Sequence, residues 1–157
     1  MATVSIVLNS GTDTSSGGNS GYRLATSTSA VEAKTTSFKI AASGVFRVTA
    51  ISVPWFGYSA NSSAITASGS ITCTLNGATF TGTISSGSFP TNSNRTGTAS
   101  CTGSVQISGN TNYTLSIKGS GGVLVSGMRL CTNGKTVTAT YLQRSAIYYN
   151  AGTAWLP

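Results

Sequence analysis

Residues 70–83, with the sequence SITCTLNGATFTGT, carry the clearest structural pattern in the chain. Apolar and polar residues alternate up to Leu75, as expected for a strand with one buried face. The Asn76-Gly77 pair that follows is typical of a two-residue hairpin turn, because both turn positions need positive φ. Closing this turn pairs the residues of the apolar face across the hairpin: Leu75 with Ala78, Cys73 with Phe80, and Ile71 with Gly82.

The second half of the chain repeats this alternation. It predicts four strands, near 99–108, 112–118, 123–131 and 136–143. A three-residue loop at 109–111, a four-residue loop at 119–122 and a second Asn-Gly turn at 133–134 would join them into an antiparallel meander. That meander sets the following residues opposite one another: Ile107 and Tyr113, Val105 and Leu115, Ile117 and Leu124, Tyr113 and Met128, Leu130 and Val137, and Met128 and Ala139.

The first half supplies further strands at 3–8, 36–42 and 45–53 beside the hairpin, and helical periodicity is nearly absent. A sheet with one apolar face needs a second sheet to cover it. We therefore expect an all-β fold, an antiparallel β-sandwich of about eight to nine strands in jelly-roll or immunoglobulin-like order. Residues 1–157 form a single domain in this interpretation, with a flexible loop at 9–21 and an aromatic C-terminal tail at 146–157.

Charged residues make up only 7% of the chain, against about 25% in ordinary globular domains. Nine basic residues and two acidic ones give a net charge of +7, but the basic residues are scattered along the sequence. Phosphate binding needs them clustered, so a nucleic-acid partner is not favoured. No apolar run approaches the ~20 residues of a spanning helix, and the N-terminal residues lack a signal-peptide pattern, so we expect neither membrane insertion nor a secretion signal.

The titratable residues argue against an enzyme. The chain has no histidine, and its acidic side chains are Asp13 and Glu32. Catalysis through imidazole is therefore excluded, and two carboxylates distant in sequence make a poor glycosidase or calcium site. We expect no catalytic residues, no cofactor and no metal site.

Three cysteines are too few and too widely spaced for a zinc site. Cys73 and Cys101 both fall on the apolar faces of their strands. They could form a disulfide if those strands are neighbours, although two buried free thiols are the interpretation that we favour. Cys131 points the opposite way beside the second Asn-Gly pair, which predicts an exposed thiol and leaves open a bond between subunits.

Residues 53–58, VPWFGY, concentrate aromatic side chains in a chain that is only 8% aromatic. Trp55, Phe56 and Tyr58 could form a platform for sugar rings, or they could be buried in the core or at a subunit interface. The preceding strand carries apolar residues on both faces, with Phe46 and Val48 on one and Ile51 and Val53 on the other. We therefore favour core or interface over a glycan site. Pro54 cannot donate to a ladder, so the strand should end there or lie at an edge.

The C-terminal tail adds three aromatic residues with no assigned strand partner: Tyr148, Tyr149 and Trp155. Apolar segments that cannot all reach one core are often docked on a neighbouring subunit. We expect a homo-oligomer, with a trimer as the favoured form and the tail or the first strand at the interface.

The stretch NYTLSIKGSGGVLVSGMRL at 112–130, with the Gly/Ser/Thr-rich loops and the scarcity of charge, resembles small β-sandwich accessory proteins of tailed bacteriophages. That resemblance implies a virion structural or accessory protein at the virion surface. Such a capsid decoration or fibre protein would bind neighbouring virion subunits or the host surface. The alternatives are a carbohydrate-binding module or lectin, with a cell-surface glycan as partner, and a pilus or adhesin subunit.

Overall fold

The computed structural model describes residues 1–26, 29–120 and 125–144. These residues form twelve strands and no helix, and so none long and apolar enough to cross a membrane. The strands are β1 (Ala2–Val7), β2 (Asp13–Ser16), β3 (Asn19–Thr26), β4 (Ser29–Ala30), β5 (Ala33–Lys34), β6 (Val45–Ser59), β7 (Ile65–Leu75), β8 (Ala78–Phe89), β9 (Arg95–Ser108), β10 (Leu115–Ser120), β11 (Met128–Thr132) and β12 (Thr136–Arg144).

The strands are hydrogen-bonded in the order β2-β3-β11-β6-β9-β8-β7-β10-β5, with β12 also beside β6, β1 beside β12, and β4 beside β3. Between β9 and β8, Thr81 and Thr102 are the one registered pair in the described part of the chain. This near-interruption divides the strands into a β6 layer (β1–β4, β6, β9, β11 and β12) and a β7 layer (β5, β7, β8 and β10). Side chains from both layers form one core cluster. The predicted antiparallel, sandwich-like all-β fold is therefore confirmed.

At the opposite border the layers are joined by main-chain bonds. The Lys34 amide donates to the Ser10 carbonyl at 2.8 Å, and the Ser10 amide donates to the Lys34 carbonyl at 3.0 Å. The chain thus passes from β1 in one layer to a contact with β5 in the other. The strand predicted at 36–42 is absent, and only Phe38 makes an isolated bridge, to Tyr113.

The hairpin at 70–83 has the predicted register. Leu75 lies opposite Ala78, Cys73 opposite Phe80 and Ile71 opposite Gly82. Asn76 and Gly77 have φ values of 47° and 79°, as the two-residue turn requires. Local turn chemistry and alternation agree here, and together they determine the pairing.

The predicted meander of the second half is wrong at each junction that the structure describes. β9 pairs with β6, with Ile107 opposite Phe46, and β10 pairs with β7, with Leu115 opposite Leu75. β9 and β6, of 14 and 15 residues, form a far longer ladder than the six-residue β10 could offer. The predicted pairing of Ile117 with Leu124 reaches outside the described residues.

β6 is long enough to hold two partners in succession along one edge. β12 pairs with its first part and β11 with its last part, so β11 and β12 run in the same direction and do not form a hairpin. The second Asn-Gly pair therefore marks an interruption between two collinear strands, and the predicted pairs Leu130–Val137 and Met128–Ala139 are wrong. The interruption between β11 and β12 lies opposite Pro54, which has no amide hydrogen to donate to the ladder. Its carbonyl instead accepts from the Asn133 amide at 2.9 Å, while Gly134 turns away with φ 84°.

Residues 9–21 are more ordered than the flexible loop that we predicted. Asp13–Ser16 and Asn19–Thr26 pair as the β2-β3 hairpin. Gly17 and Gly18 form its turn with φ values of 54° and 85°. A Ser/Gly-rich composition suggested a linker, but the two adjacent glycines supply the positive φ of a two-residue turn.

The core-cluster residues of β6 all lie on one face, although they occupy even-numbered positions before residue 49 and odd-numbered positions after it. The ladder register shifts between Val48 and Ala50, the mark of a β-bulge. The bulge reverses the alternation, so Phe46 and Val48 before it and Ile51 and Val53 after it all enter the same core cluster. The interpretation of residues 45–53 as a strand buried on both faces is therefore wrong.

Candidate functional site

The VPWFGY segment lies in the second half of β6, where Trp55 is enclosed in the core. Its side chain is 4% exposed, and its ring lies 6.1 Å from that of Phe89. The Arg95 guanidinium covers both rings, 5.4 Å from the Trp55 centroid and 4.8 Å from the Phe89 centroid. Gly97 lies opposite on β9, where an added Cβ would stand 2.6 Å from Cζ2 of Trp55. The ring is thus covered by a cation, a second ring and a glycine backbone.

Phe56 points to the other face of β6 and is also fully buried. It lies opposite Cys131 of β11, and its ring is nearly parallel to that of Tyr58, at 9° and 6.5 Å. Tyr58 is half-buried. Of the three aromatic residues proposed as a sugar platform, only Tyr58 offers exposed surface, so Trp55 and Phe56 do not form a stacking face. The core interpretation describes these two residues correctly, whereas Tyr148, Tyr149 and Trp155 lie outside the described residues.

The prediction of an exposed thiol at Cys131 is wrong, because this side chain is fully buried. It does point away from the main core, but Thr14 and Arg23 of the β2-β3 hairpin lie against its sulfur. Burial raises the pKa of the Cys131 thiol to about 11, while nearby Arg23 and Thr14 act in the opposite direction. A flexible loop at 9–21 would leave this face open, whereas the β2-β3 hairpin covers it.

Cys73 and Cys101 are free thiols, both fully buried. Cys73 lies on β7 and Cys101 on β9, in different layers. The neighbouring Cys101 thiol, together with burial, raises the pKa of Cys73 far above its ordinary value. The pattern thus correctly placed both side chains in the core.

The two acidic side chains lie on the surface in separate ion pairs. Asp13 contacts Lys135 at 2.6 Å, and Glu32 lies 3.7 Å from both Lys34 and Lys118. The hydrogen bond that Lys135 donates to the Asp13 carboxylate raises the pKa of the Lys135 ammonium group. Within the described ranges, no three His, Cys, Asp or Glu side chains converge to hold a metal ion.

The outer edge of β1 is the other candidate site. Among the described residues β1 pairs with β12 alone, over residues 2–7. The Leu8 amide donates to the Lys135 carbonyl at 2.8 Å, so even-numbered residues direct their backbone groups toward β12. Thr3, Ser5 and Val7 therefore direct their amides and carbonyls outward, and all three side chains are exposed.

As far as the described residues show, this edge lacks the features that usually prevent strand pairing. Residues 1–8 contain no charged residue and no proline, and β1 pairs with β12 without a register shift. Met1 and Val7 are exposed apolar residues, at 83% and 60%. The sequence suggested that the first strand could lie at an interface, but it did not show which residues point outward, because that depends on the pairing with β12.

Comparison with known proteins does not assign the chain to a family: no protein-family model matches it, and neither does any curated protein.

Proposed function

We propose that the protein is a non-enzymatic structural or accessory protein of a virion, a bacteriophage capsid decoration or fibre protein that binds neighbouring virion subunits or the host surface. The observation that carries this proposal is the outer edge of β1, which pairs with no strand in the described part of the chain. A free, regular, uncharged edge strand is a template for pairing with another chain, and an assembly protein can use it as its interface.

The occupant that this edge fits best is a second copy of the chain. If the Ser5 residues of two copies lie opposite each other, Thr3 falls opposite Val7 of the other copy, and each of these residues directs its backbone outward. The pairing then forms about six main-chain hydrogen bonds. The same register sets Val4 opposite Ile6 of the other copy, so the core faces of both copies lie on one side of a continuous sheet.

Charge does not prevent this pairing. A net charge of +7 on each copy opposes association, but residues 1–8 contribute no charged side chain to the contact. Long-range repulsion between copies decreases as salt is added. Assembly through β1 is therefore expected to strengthen at higher ionic strength.

The remaining side chains fit a structural role better than a catalytic one. Asp13 and Glu32 are each paired with lysine on the surface, and neither is placed beside the other. The thiols of Cys73, Cys101 and Cys131 are buried. The described surface offers Ser, Thr, Asn and Gly residues in abundance, as in the phage accessory proteins that the second half of the chain resembles.

Imaging of native virus particles with a labelled antibody to this protein tests the location directly. The expected result is regular labelling of the particle surface, and particles that carry none of the protein would refute the virion role. The interface is tested separately by sedimentation of Ser5→Pro, which removes one outward amide, against Ser5→Ala, which keeps it. We expect Ser5→Pro to weaken self-association at least tenfold and Ser5→Ala to behave as wild type; equal behaviour of the two variants would refute the β1 interface.

A further inference from the structure

We propose that Cys73 and Cys101 are a cross-linking site: a disulfide oxidant converts the two thiols into a covalent bridge between the β6 layer and the β7 layer. This inference does not depend on the proposed function. It rests on the position of the two sulfurs beside the β8-β9 border, where Thr81 and Thr102 form the one registered pair in the described residues.

The two thiols meet because β9 approaches β7 closely. The Cys101 thiol donates to the carbonyl of Ile71 at 3.5 Å, two residues before Cys73 on the same strand. It also lies near the Cys73 sulfur, close enough for each thiol to shift the pKa of the other. Ile71 and Cys73 share the core face of β7, so the Cys101 side chain reaches across the core to the strand that carries its partner.

Gly82 makes room for this approach. It lies opposite Ile71 in the β7-β8 hairpin, and a Cβ at this position would stand 3.0 Å from the Cys101 sulfur. Any side chain there would push the sulfur away from β7. The close approach of the layers at this point thus depends on a residue without a side chain.

The border between β8 and β9 offers an opening for the oxidant. Thr81 and Thr102 form its one registered pair in the described residues, and Cys101 is the neighbour of Thr102. Local separation of these strands breaks few main-chain bonds, so it exposes Cys101 before the rest of the core. The two layers can therefore part at Cys101 without global unfolding.

The reaction is a thiol-disulfide exchange with a low-molecular-weight disulfide such as oxidised glutathione. The Cys101 thiolate attacks one sulfur of the oxidant, forms a mixed disulfide and releases one glutathione thiolate. The Cys73 thiolate then attacks the Cys101 sulfur and releases the second. One protein disulfide forms, the oxidant is reduced to two thiols, and these take up the two protons that the cysteines lose.

The test incubates the full-length protein with oxidised glutathione and counts its thiols by alkylation in denaturant followed by mass spectrometry. The expected product has lost about 2 Da relative to the reduced protein and alkylates once, at Cys131. Peptide mapping should show Cys73 joined to Cys101. Cys131→Ser should still form the bridge and Cys73→Ser should not, so oxidation should raise Tm by about 6–12 °C in the wild type and in Cys131→Ser but not in Cys73→Ser.

Refolding from denaturant in the same redox buffer lets the oxidant reach the thiols before they are buried. Three alkylated cysteines after refolding would overturn the proposal. A bridge that includes Cys131, or one that leaves Tm unchanged, would overturn it equally. A bridge that forms on refolding and also in the folded protein would support both the site and the route through the β8-β9 border.

Discussion

Replacement of Trp55 by alanine distinguishes a buried aromatic residue from a ligand platform. The Trp55 side chain is 4% exposed and packs on Phe89, so its removal leaves a cavity that the surrounding sheet can fill only in part. Truncation of a buried tryptophan costs about 3–5 kcal/mol. Arg95 would also lose one of the two rings beneath its guanidinium, which adds up to ~1 kcal/mol. We expect Trp55→Ala to lower the free energy of unfolding by about 4 kcal/mol, a large part of the 5–15 kcal/mol of a typical domain.

The assay is urea unfolding followed by far-ultraviolet circular dichroism, because the substitution itself changes the fluorescence. Tyr58→Ala is the matched control, since Tyr58 lies three residues along the same strand but is only half-buried. Tyr58→Ala should lower the free energy of unfolding clearly less than Trp55→Ala does. A folded Trp55→Ala protein that loses less than ~1 kcal/mol would show that the ring is not enclosed, and the sugar-platform interpretation would regain its basis.

Three further substitutions test the glycine contacts and the buried thiol. Gly97→Ala places a Cβ 2.6 Å from Cζ2 of Trp55 and should cost about 1–3 kcal/mol in urea unfolding; a loss no greater than that of exposed Thr98→Ala would contradict the contact. Gly134→Ala forces alanine to φ 84° with no neighbour within 4 Å, so we expect a loss of about 1 kcal/mol from the backbone alone, and an unchanged unfolding midpoint would argue against the left-handed conformation. Cys131 has its pKa raised from 9.0 to about 11, so the folded state holds this proton more tightly. Its stabilising effect, on the order of 3 kcal/mol, should be complete below about pH 9 and lost as pH rises toward 11. Between about pH 9 and 11, the free energy of unfolding should therefore fall less steeply for Cys131→Ala than for the wild type. Parallel curves would refute the raised pKa of Cys131.

The hairpin at 70–83 could be predicted from sequence because everything that determines it is local. The alternation up to Leu75 selects the buried face, and Asn76-Gly77 determines the register. The second Asn-Gly pair has the same local chemistry but a different outcome. It lies opposite Pro54, a residue distant in sequence, and the missing amide there favours an interruption over a hairpin. Turn residues predict a turn reliably only when the flanking strands have no better partner elsewhere.

In the candidate sites, too, local sequence patterns could be predicted, whereas contacts between distant strands could not. The core positions of Cys73 and Cys101 followed from alternation, but their contact depends on the distance between two layers. The burial of Cys131 depends on the β2-β3 hairpin, which the Ser/Gly-rich composition of residues 9–21 does not indicate. The apolar residues of β6 shift from even to odd positions, which suggested burial on two faces. The pattern does not reveal the single β-bulge that keeps them on one face.

The pairing of β1 with β12 also determines when the fold can be completed. Ala2 lies opposite Tyr141, so β1 needs a partner strand that is synthesised long after β1 itself. At ~5–20 residues per second, β1 waits on the order of ten seconds without its neighbour. The β7-β8 hairpin, in contrast, can close as soon as it is made. Nascent chains therefore expose the uncharged β1 strand to one another throughout synthesis, and premature pairing between chains competes with the completion of each one.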